Sequence, residues 1–334
     1  MALQFYGFNG WDTTTLQRKC VYTTSLTYPE IAATSGPRSG PCLRQNMQAS
    51  TSFTCSTATQ VAVGFWLWVE SFSSGAATLV SFTDSGVNQD TVQLNTDGTM
   101  SWHRRNAGST VLLGTSSSGV TVGVWYHIGL TLKVDAAAGT CSIFFNGVED
   151  SNFPFAGVTR GVTGSDNITS IKFGGSSGSA GVVRIADWYY KTGTTTFQGV
   201  AKVTGYLPTG AGTYTGLTAS AGSNYQCVDD ATPDDDTTTV YGTSGKDTYT
   251  HGALDHVPNS ILGIKVECIA KDEDASGHVL APYIASSGTE DAGTGTGLGV
   301  SYAVIDDVWE TDPDTGVAWT ESGFNAAEFG MEIT

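Results

Sequence analysis

The chain has 334 residues, of which 42 are glycine and only 14% are Asp, Glu, Lys or Arg. Soluble domains usually contain about 25% charged residues and about 7% glycine, so this surface must use Ser, Thr, Asn and Gly, which favour turns and strands and exclude a helical bundle. The 15 basic and 32 acidic residues give a formal charge of −17, which excludes nucleic acid and anionic membranes as partners because polyanions are repelled at long range.

The N-terminal residues lack the basic and apolar regions of a signal peptide, and no stretch reaches the roughly 18 consecutive apolar residues of a membrane span. We therefore expect a protein that is made and assembled in the cytoplasm and has no membrane partner.

Short strands are predicted along the first part of the chain. Apolar residues occupy every second position from Val124 to Val134, which is the period of a strand with one buried face. A turn at 135–139, a returning strand at 140–145 and the hairpin signal Asn146-Gly147 follow. Similar runs occur at 61–70, 78–82, 91–94, 99–104, 110–113, 168–173 and 182–191. This spacing without helices predicts an antiparallel sandwich.

A change in composition at residues 193–196 predicts a domain boundary, with one domain at 1–195 and a second β domain at 196–334. The second part is more acidic and richer in loops. One short helix is predicted at 321–329, with Thr320 as its N-cap and Gly330 as its stop. Strands are predicted at 199–207, 237–241, 261–270, 279–285 and 299–308. The fold class is therefore all-β, with one short C-terminal helix.

Two stretches carry a family resemblance. Residues 124–131, Val-Trp-Tyr-His-Ile-Gly-Leu-Thr, and residues 144–147, Phe-Phe-Asn-Gly, resemble the W-x-H and aromatic-N-G signature of laminin-G-like members of the concanavalin A-like jelly-roll superfamily. The resemblance extends more weakly over residues 3–191. It implies a jelly roll for the first domain, followed by a second β-sandwich. Lectins, glycosidases and structural modules all use this fold, so it implies no single function.

Other patches resemble virion proteins of tailed bacteriophages: residues 5–9, 224–236, 309–313 and 319–325. This resemblance implies a structural subunit on the exterior of the particle, such as a decoration, collar or tail-appendage protein, assembled in the host cytoplasm. Its partners would be other virion proteins and copies of itself, and the protein would form an oligomer. The alternative is a lectin-like carbohydrate-binding module that recognises host-surface glycans.

Catalytic motifs are missing from the sequence. The laminarinase branch of the jelly roll needs acidic residues at alternate positions of one strand, in an E-x-D-x-E-like pattern. The nearest candidate is residues 305–310, where Asp306 and Glu310 would lie about 13 Å apart, too far for the usual geometries. There is no G-x-S-x-G, HExxH or phosphate-binding loop. We therefore expect no catalytic residue, no cofactor and no enzyme, and a glycosidase using Asp306 or Glu310 is the weakest alternative.

Acidic stretches raise the question of metal binding. Residues 272–277 begin like an EF-hand loop, but the twelfth position is Tyr283 and not glutamate. A solvated turn is the prediction, and a weak calcium site is the alternative. The five aspartates within 229–236 are predicted to be solvated. No metal site is predicted.

Trp102, Arg104 and Arg105 place an aromatic ring and two cations at a strand end of a cation-poor chain. They are candidates for contact with a glycan or a neighbouring subunit, and an exposed strand end is the alternative. His127 lies off the apolar stripe and is predicted to be a hydrogen-bonded structural residue. Core packing is predicted for Trp66, Trp68, Trp188, Tyr189 and Tyr190.

Four aromatic residues are concentrated in the last 26 positions: Trp309, Trp319, Phe324 and Phe329. Leaving each in water forfeits roughly 1.5–3 kcal/mol of burial energy, so they must pack against something. The sequence predicts an assembly or docking element, and packing within their own domain is the alternative.

The six cysteines include no C-x-x-C pair, which argues against zinc and iron–sulfur sites. Cys20 and Cys42 lie in polar stretches with Pro and Gly, and they are predicted to form a disulfide after the particle leaves the reducing cytoplasm. The bridge would close a ~20-residue loop and contribute about 3 kcal/mol. Simple reduced thiols and an intersubunit bond are the alternatives.

Overall fold

The computed structural model describes residues 2–7, 21–23, 30–32, 42–175, 181–274 and 276–334, with the backbone alone at 21–23 and 30–32. The chain divides into two compact units, Met1–Val203 and Thr204–Thr334, which we call unit 1 and unit 2. This division lies eight residues after the predicted boundary at 195. Residues 194–203 pack on the strands of unit 1, as described below, so the change in composition precedes the structural boundary.

Unit 1 is built from short strands. Those in the described residues are β1 Leu3–Tyr6, β2 Val21–Thr23, β3 Glu30–Ala32, β4 Cys42–Asn46, β5 Ser50–Ala58, β6 Gln60–Ser71, β7 Ala77–Asp84, β8 Val87–Leu94, β9 Thr99–Asn106, β10 Ser109–Gly119, β11 Trp125–Lys133, β12 Gly139–Phe145, β13 Val148–Glu149, β14 Phe155–Gly157, β15 Ile168–Gly174 and β16 Val182–Thr192.

Two sheets form the sandwich of unit 1. Among the described residues, the A sheet has the order β13-β12-β11-β6-β16-β4-β3, with β1 beside β16 and β14 beside β12. The B sheet has the order β10-β9-β8-β7-β15-β5-β2. The paired strands run antiparallel, as in β11 with β6 and β15 with β7, so the predicted antiparallel sandwich is confirmed.

Strand β6 shows how alternation divides the A sheet into two faces. Its positions 61, 63, 65, 67 and 69 are Val, Val, Phe, Leu and Val, and all are fully buried in the core between the sheets. Their neighbours Trp66, Trp68 and Glu70 point to the opposite face and are half-buried. The prediction that Trp66 and Trp68 belong to the core was therefore wrong.

The core of unit 1 contains an aromatic cluster around Trp188. Its ring stacks on Tyr6 at a centroid distance of 4.6 Å and packs against Phe53 and Phe173. Tyr190 lies in the same core. Core packing of Trp188 and Tyr190 is thus confirmed.

Unit 2 is also a β structure. The strands are β17 Pro208–Thr215, β18 Thr218–Ala219, β19 Val240–Tyr241, β20 Gly245–His251, β21 Ile264–Ala270, β22 Val279–Ser286, β23 Thr289–Ala292, β24 Thr296–Gly297, β25 Ala303–Trp309 and β26 Glu328–Ile333, with a 3₁₀ turn at Asn224–Cys227 and one α-helix, α1 Glu321–Ala326. The main sheet has the order β17-β20-β26-β22-β23, with β24 beside β22. Two further strand pairs, β18-β19 and β21-β25, complete the unit.

The C-terminal aromatic residues belong to the core of unit 2. Trp309, Trp319 and Phe324 are buried, and Phe329 packs against the same core from strand β26. The interpretation of these four residues as a docking element is therefore corrected, because packing within their own unit already removes them from water.

The predicted helix at 321–329 is shorter in the structure. Thr320 caps it as expected, since its Oγ1 accepts a 3.0 Å hydrogen bond from the Gly323 backbone N–H. The helix ends at Ala326 because the chain then enters β26, which pairs with both β20 and β22. No described helix has the length and hydropathy that a bilayer span requires.

Candidate functional site

Four side chains form a row across the outer face of the A sheet. Trp125 is registered opposite Trp68, Trp68 opposite Arg184, and Arg184 opposite Arg44, on strands β11, β6, β16 and β4. Directly opposed residues of antiparallel strands point to the same face, and neighbouring strands are about 4.8 Å apart. The row is therefore about 14 Å long, and all four side chains are half-buried.

The two tryptophans of the row contact each other edge to face. The ring centroids of Trp68 and Trp125 are 5.4 Å apart, with an angle of 65° between the planes. Indole rings combine a large apolar surface with one N–H donor, and such pairs prefer this T-shaped arrangement. Together they form a broad apolar platform on a partly exposed sheet face.

Glu70 fixes the polar half of the row. It lies two residues after Trp68 on the same face, where Arg44 donates to it from Nε at 2.7 Å and from Nη2 at 2.9 Å. Arg184 also donates from Nε to the same carboxylate. The Arg44 hydrogen bonds, helped by those from Arg184, outweigh burial and hold the pKa of Glu70 below its ordinary value. The carboxylate thus stays ionised and positions both guanidinium groups.

Next to this row, a segment of chain covers the sheet. We call residues 194–203 the covering segment. Its Phe197 stacks on Phe144 with centroids 4.7 Å apart, and its backbone carbonyls accept hydrogen bonds from Trp66 Nε1 at 3.0 Å and from Tyr189 Oη at 2.7 Å. Tyr189 is therefore buried on the outer face of the A sheet and not between the sheets.

His127 lies beneath the covering segment. Its side chain is fully buried, with the rings of Trp66 and Phe197 at 5.4 and 5.7 Å. Neither ring nitrogen has a hydrogen-bond partner among the described residues, and burial lowers the pKa of His127 to about 4. The prediction of a hydrogen-bonded histidine was wrong, because aromatic rings surround the imidazole where polar partners were expected.

The residues that the sequence predicted to contact a glycan lie on the B sheet. Trp102 is fully buried in the core, stacked on Phe82, and its Nε1 donates to Asp90 at 2.9 Å. It cannot form an exposed platform, so that interpretation was wrong. Arg104 is half-buried and donates to a backbone carbonyl, while Arg105 is exposed.

Cys42 is fully buried in strand β4, and burial raises the pKa of its thiol to about 11. It lies on the outer face of the A sheet, on the same face of β4 as Arg44 and beside Arg184 and Glu70, and not in the polar loop inferred from the sequence. Cys20 lies outside the described residues, so the predicted pairing of Cys20 with Cys42 stays a prediction.

Among the described residues of unit 2, one group has donor atoms close enough to share a metal ion: Asp272, Asp274 and His278, within 4.8 Å of one another. The Asp272 carboxylate already accepts hydrogen bonds from the backbone N–H groups of Asp274, Gly277 and His278. These bonds overcome burial and lower the pKa of Asp272 to about 2. The carboxylate thus closes its own turn, but it is buried where a solvated turn was predicted.

Asp306, the nearest candidate for a catalytic carboxylate in the sequence, is part of an ion-pair group. It lies on β25 directly opposite Glu267 on β21. The Nζ of Lys265 is 3.0 Å from Glu267 and 3.7 Å from Asp306. Lys265 therefore neutralises charge between these two carboxylates.

The site on the A sheet was not predicted from the sequence, although the sequence contains a signal for it. Trp125 stands off the apolar stripe of β11, and Trp68 and Glu70 stand off the apolar stripe of β6. Large aromatic residues on the polar phase of a strand indicate an exposed surface that needs an explanation.

Comparison with known proteins gives fold relatives. No protein-family model and no curated protein matches the chain. Similar solved structures include a sialidase at 13% identity, with a TM-score of 0.42 over 57% of this chain and 18% of that chain. They also include the cellulose induced protein Cip1, at 14% identity, with a TM-score of 0.44 over 59% of this chain and 100% of that chain. A carbohydrate esterase of the Shiga toxin-encoding bacteriophage phi24B matches at 9% identity, with a TM-score of 0.38 over 57% of this chain and 100% of that chain.

These structures correct one expectation from the sequence. The conclusion that this chain is not an enzyme was wrong, because the similar structures include a sialidase, a carbohydrate esterase and an alginate lyase. One fold carries many functions, so missing motifs do not exclude an enzyme. At these identities and TM-scores the likeness assigns no activity to this chain.

Proposed function

We propose that this chain binds carbohydrate on the outer face of the A sheet of unit 1. The row of Trp125, Trp68, Arg184 and Arg44 carries this proposal, because it sets an apolar platform directly beside fixed hydrogen-bond donors. Sugar rings have apolar faces that pack on indole rings and hydroxyl groups that accept from guanidinium N–H groups. The outer face of the A sheet offers both the apolar platform and the guanidinium donors along one row, so a single ligand can contact both.

The rigidity of the row supports a binding role. Both tryptophans project from central strands of the A sheet, and Glu70 holds the two arginines by hydrogen bonds. Side chains that are already positioned lose less conformational freedom when a ligand binds. Weakly hydrated guanidinium groups are also well suited to partly apolar surfaces.

Binding can be tested on the full chain. A glycan array identifies a ligand, and titration calorimetry then compares Trp68→Ala and Trp125→Ala with the wild type. We expect each substitution to weaken binding at least tenfold, which is about 1.4 kcal/mol, because each removes half of the platform. Tyr241→Ala, at an exposed aromatic residue of unit 2, should leave the affinity unchanged. Unaltered binding by both tryptophan variants would contradict the proposal.

We further propose that the protein lies on the exterior of a tailed-phage particle, as a decoration, collar or tail-appendage subunit. The sequence patches at 5–9, 224–236, 309–313 and 319–325 support this setting. Its partners would be other virion proteins, further copies of the chain and host-surface glycans, without nucleic acid or membrane. Mass spectrometry of fractionated capsids and tails tests the proposal, and absence of the protein from purified particles would refute it.

A further inference from the structure

Resting on the proposed function, we infer that the carbohydrate bound on the A sheet carries a carboxylate and that Arg184 binds this group. The ligand class is a short oligosaccharide with a single acidic sugar, such as a terminal uronate or sialate. Its apolar ring faces would pack on Trp68 and Trp125.

Arg184 presents the binding group. Its Nε donates to Glu70, and its side chain also lies against the Cys42 thiol. Among the described residues, no oxygen accepts a hydrogen bond from its two terminal nitrogens. The side chain is 23% exposed and lies directly opposite Trp68 in the register. The terminal edge of a guanidinium offers two parallel N–H donors whose spacing matches a carboxylate. A carboxylate on a sugar packed against Trp68 can reach this edge.

Glu70 does not remove the capacity of Arg184 to bind an anion. Arg44 already holds Glu70 with two hydrogen bonds, whereas Arg184 gives Glu70 one hydrogen bond, from its Nε. A neutral sugar accepts single hydrogen bonds from the terminal nitrogens of Arg184, but a carboxylate accepts two charge-assisted bonds. Charged hydrogen bonds are roughly twice as strong as neutral ones, and this difference favours the acidic ligand.

The charge of the whole chain limits the size of the acidic ligand. A formal charge of −17 repels an extended polyanion. At physiological salt, interactions between exposed charges are screened beyond about 8 Å, so a single carboxylate responds mainly to Arg184, which it contacts. The other carboxylates of a continuous acidic polymer lie beyond the reach of Arg184, so they add little to the affinity.

The test uses matched glycans on the full-length protein. The array holds pairs of oligosaccharides that end in a glucuronate or a sialate, each beside the same glycan with its carboxylate reduced to an alcohol. We expect the acidic member of at least one pair to bind about ten- to a hundredfold more tightly, the range for a hydrogen-bonded charged group. Arg184→Gln should abolish this preference, and Arg184→Lys should restore only part of it.

Arg105→Gln is the matched control, because Arg105 is an exposed arginine on the B sheet. It should keep both affinity and preference, and unfolding temperatures confirm that each variant is folded. Equal binding of acidic and reduced glycans, or a preference that survives Arg184→Gln, overturns this inference and leaves the carbohydrate-binding proposal standing. Failure of every glycan to bind overturns both.

Discussion

Asp90 is a buried carboxylic acid, and its ionisation makes the folding stability of unit 1 depend on pH. It lies in the core of the sandwich, and its Oδ1 accepts the Trp102 indole N–H while its Oδ2 has no hydrogen-bond partner among the described residues. Burial raises the pKa of Asp90 from its ordinary 3.8 to about 7. The carboxyl is therefore protonated in the folded state at pH values where the unfolded chain has lost the proton.

This pKa gives a prediction for folding stability. Between about pH 4 and pH 7 the folded state keeps a proton on Asp90 that the unfolded chain loses, so the contribution of Asp90 to the free energy of unfolding falls as pH rises, by at most about 1.4 kcal/mol per pH unit. His127, whose pKa burial lowers to about 4, contributes a slope of the opposite sign up to about pH 6.5. Asp90→Asn keeps an acceptor for Trp102 and stays neutral, so it should remove the falling contribution, and the stability of the variant should rise more with pH than that of the wild type. Chemical denaturation of unit 1 across this pH range measures the effect.

Asp97→Asn serves as the control for Asp90, because Asp97 is an exposed turn residue whose pKa is lowered by hydrogen bonds from Thr99. Its contribution to stability falls below its ordinary pKa, so the slope above pH 4 should be retained. An Asp90→Asn protein with the wild-type slope would show that Asp90 is ionised in the folded state.

At the level of single residues, the position of a residue in the alternation of its strand predicts its burial better than the polarity of the residues next to it in sequence. Trp102 was assigned to the surface because two arginines follow it, yet it shares its face with Met100, and both are fully buried. The alternation of β9 contained the correct answer. Trp68 and Trp125 show the converse, since their phase places them on the outer face.

At the level of elements, the covering segment depends on two glycines of the A sheet. A Cβ on Gly129 would lie 2.4 Å from Cε2 of Phe197, and a Cβ on Gly64 would lie 2.4 Å from Cε1 of Tyr189. These residues are registered opposite each other on β11 and β6. The absence of side chains at both positions lets aromatic rings pack directly on the backbone.

We predict that Gly129→Ala displaces the covering segment, since the new methyl group occupies the space of the Phe197 ring. Overpacking of this kind costs about 1–3 kcal/mol, and the unfolding temperature of unit 1 should fall accordingly. Gly75→Ala is the control, because its Cβ would meet no atom within 4 Å. Equal stability of the two variants would show that the segment does not depend on Gly129.

The last strand supports a second prediction at this level. Strand β26 lies between β20 and β22 in the main sheet of unit 2. Deleting residues 312–334 removes this strand together with Trp319 and Phe324 from the core. We expect unit 2 to be unfolded and the protein to be insoluble. A soluble deletion protein with a cooperative unfolding transition for unit 2 would contradict the assigned role of β26.

At the level of the whole molecule, the two units have separate hydrophobic cores. We propose that each folds independently and that the covering segment belongs to unit 1. Limited proteolysis should cut within 204–207, outside the regular strands, and leave a stable fragment that ends after Val203. A preferred cut within 194–203 that leaves unit 1 intact would contradict this division.

Fragment stability tests the same boundary. A fragment ending at residue 203 retains the stacking of Phe197 on Phe144 and the hydrogen bond from Trp66. A fragment ending at residue 195 loses both, together with about 1.5–3 kcal/mol from burial of one large apolar side chain. Thermal unfolding should therefore show a higher midpoint for the longer fragment.

The sequence predicted the fold class because alternation and turn residues are local signals. It did not predict the candidate site, because Trp68 and Trp125 become neighbours only when β6 pairs with β11, and Arg184 joins them only through β16. Pairing between strands distant in sequence is set by burial of whole faces. The same limit explains the C-terminal aromatic residues, whose burial depends on a sheet assembled from distant strands.

The central claim is that carbohydrate binds at Trp68 and Trp125, and NMR of the indole N–H groups tests it most directly. The chain has eight tryptophans, and single substitutions assign their resonances. On titration with the glycan selected by the array, the signals of Trp68 and Trp125 should shift, whereas those of the fully buried Trp102 and Trp188 should stay in place. Saturable binding that leaves Trp68 and Trp125 unshifted and moves other tryptophans would contradict the assignment of the site.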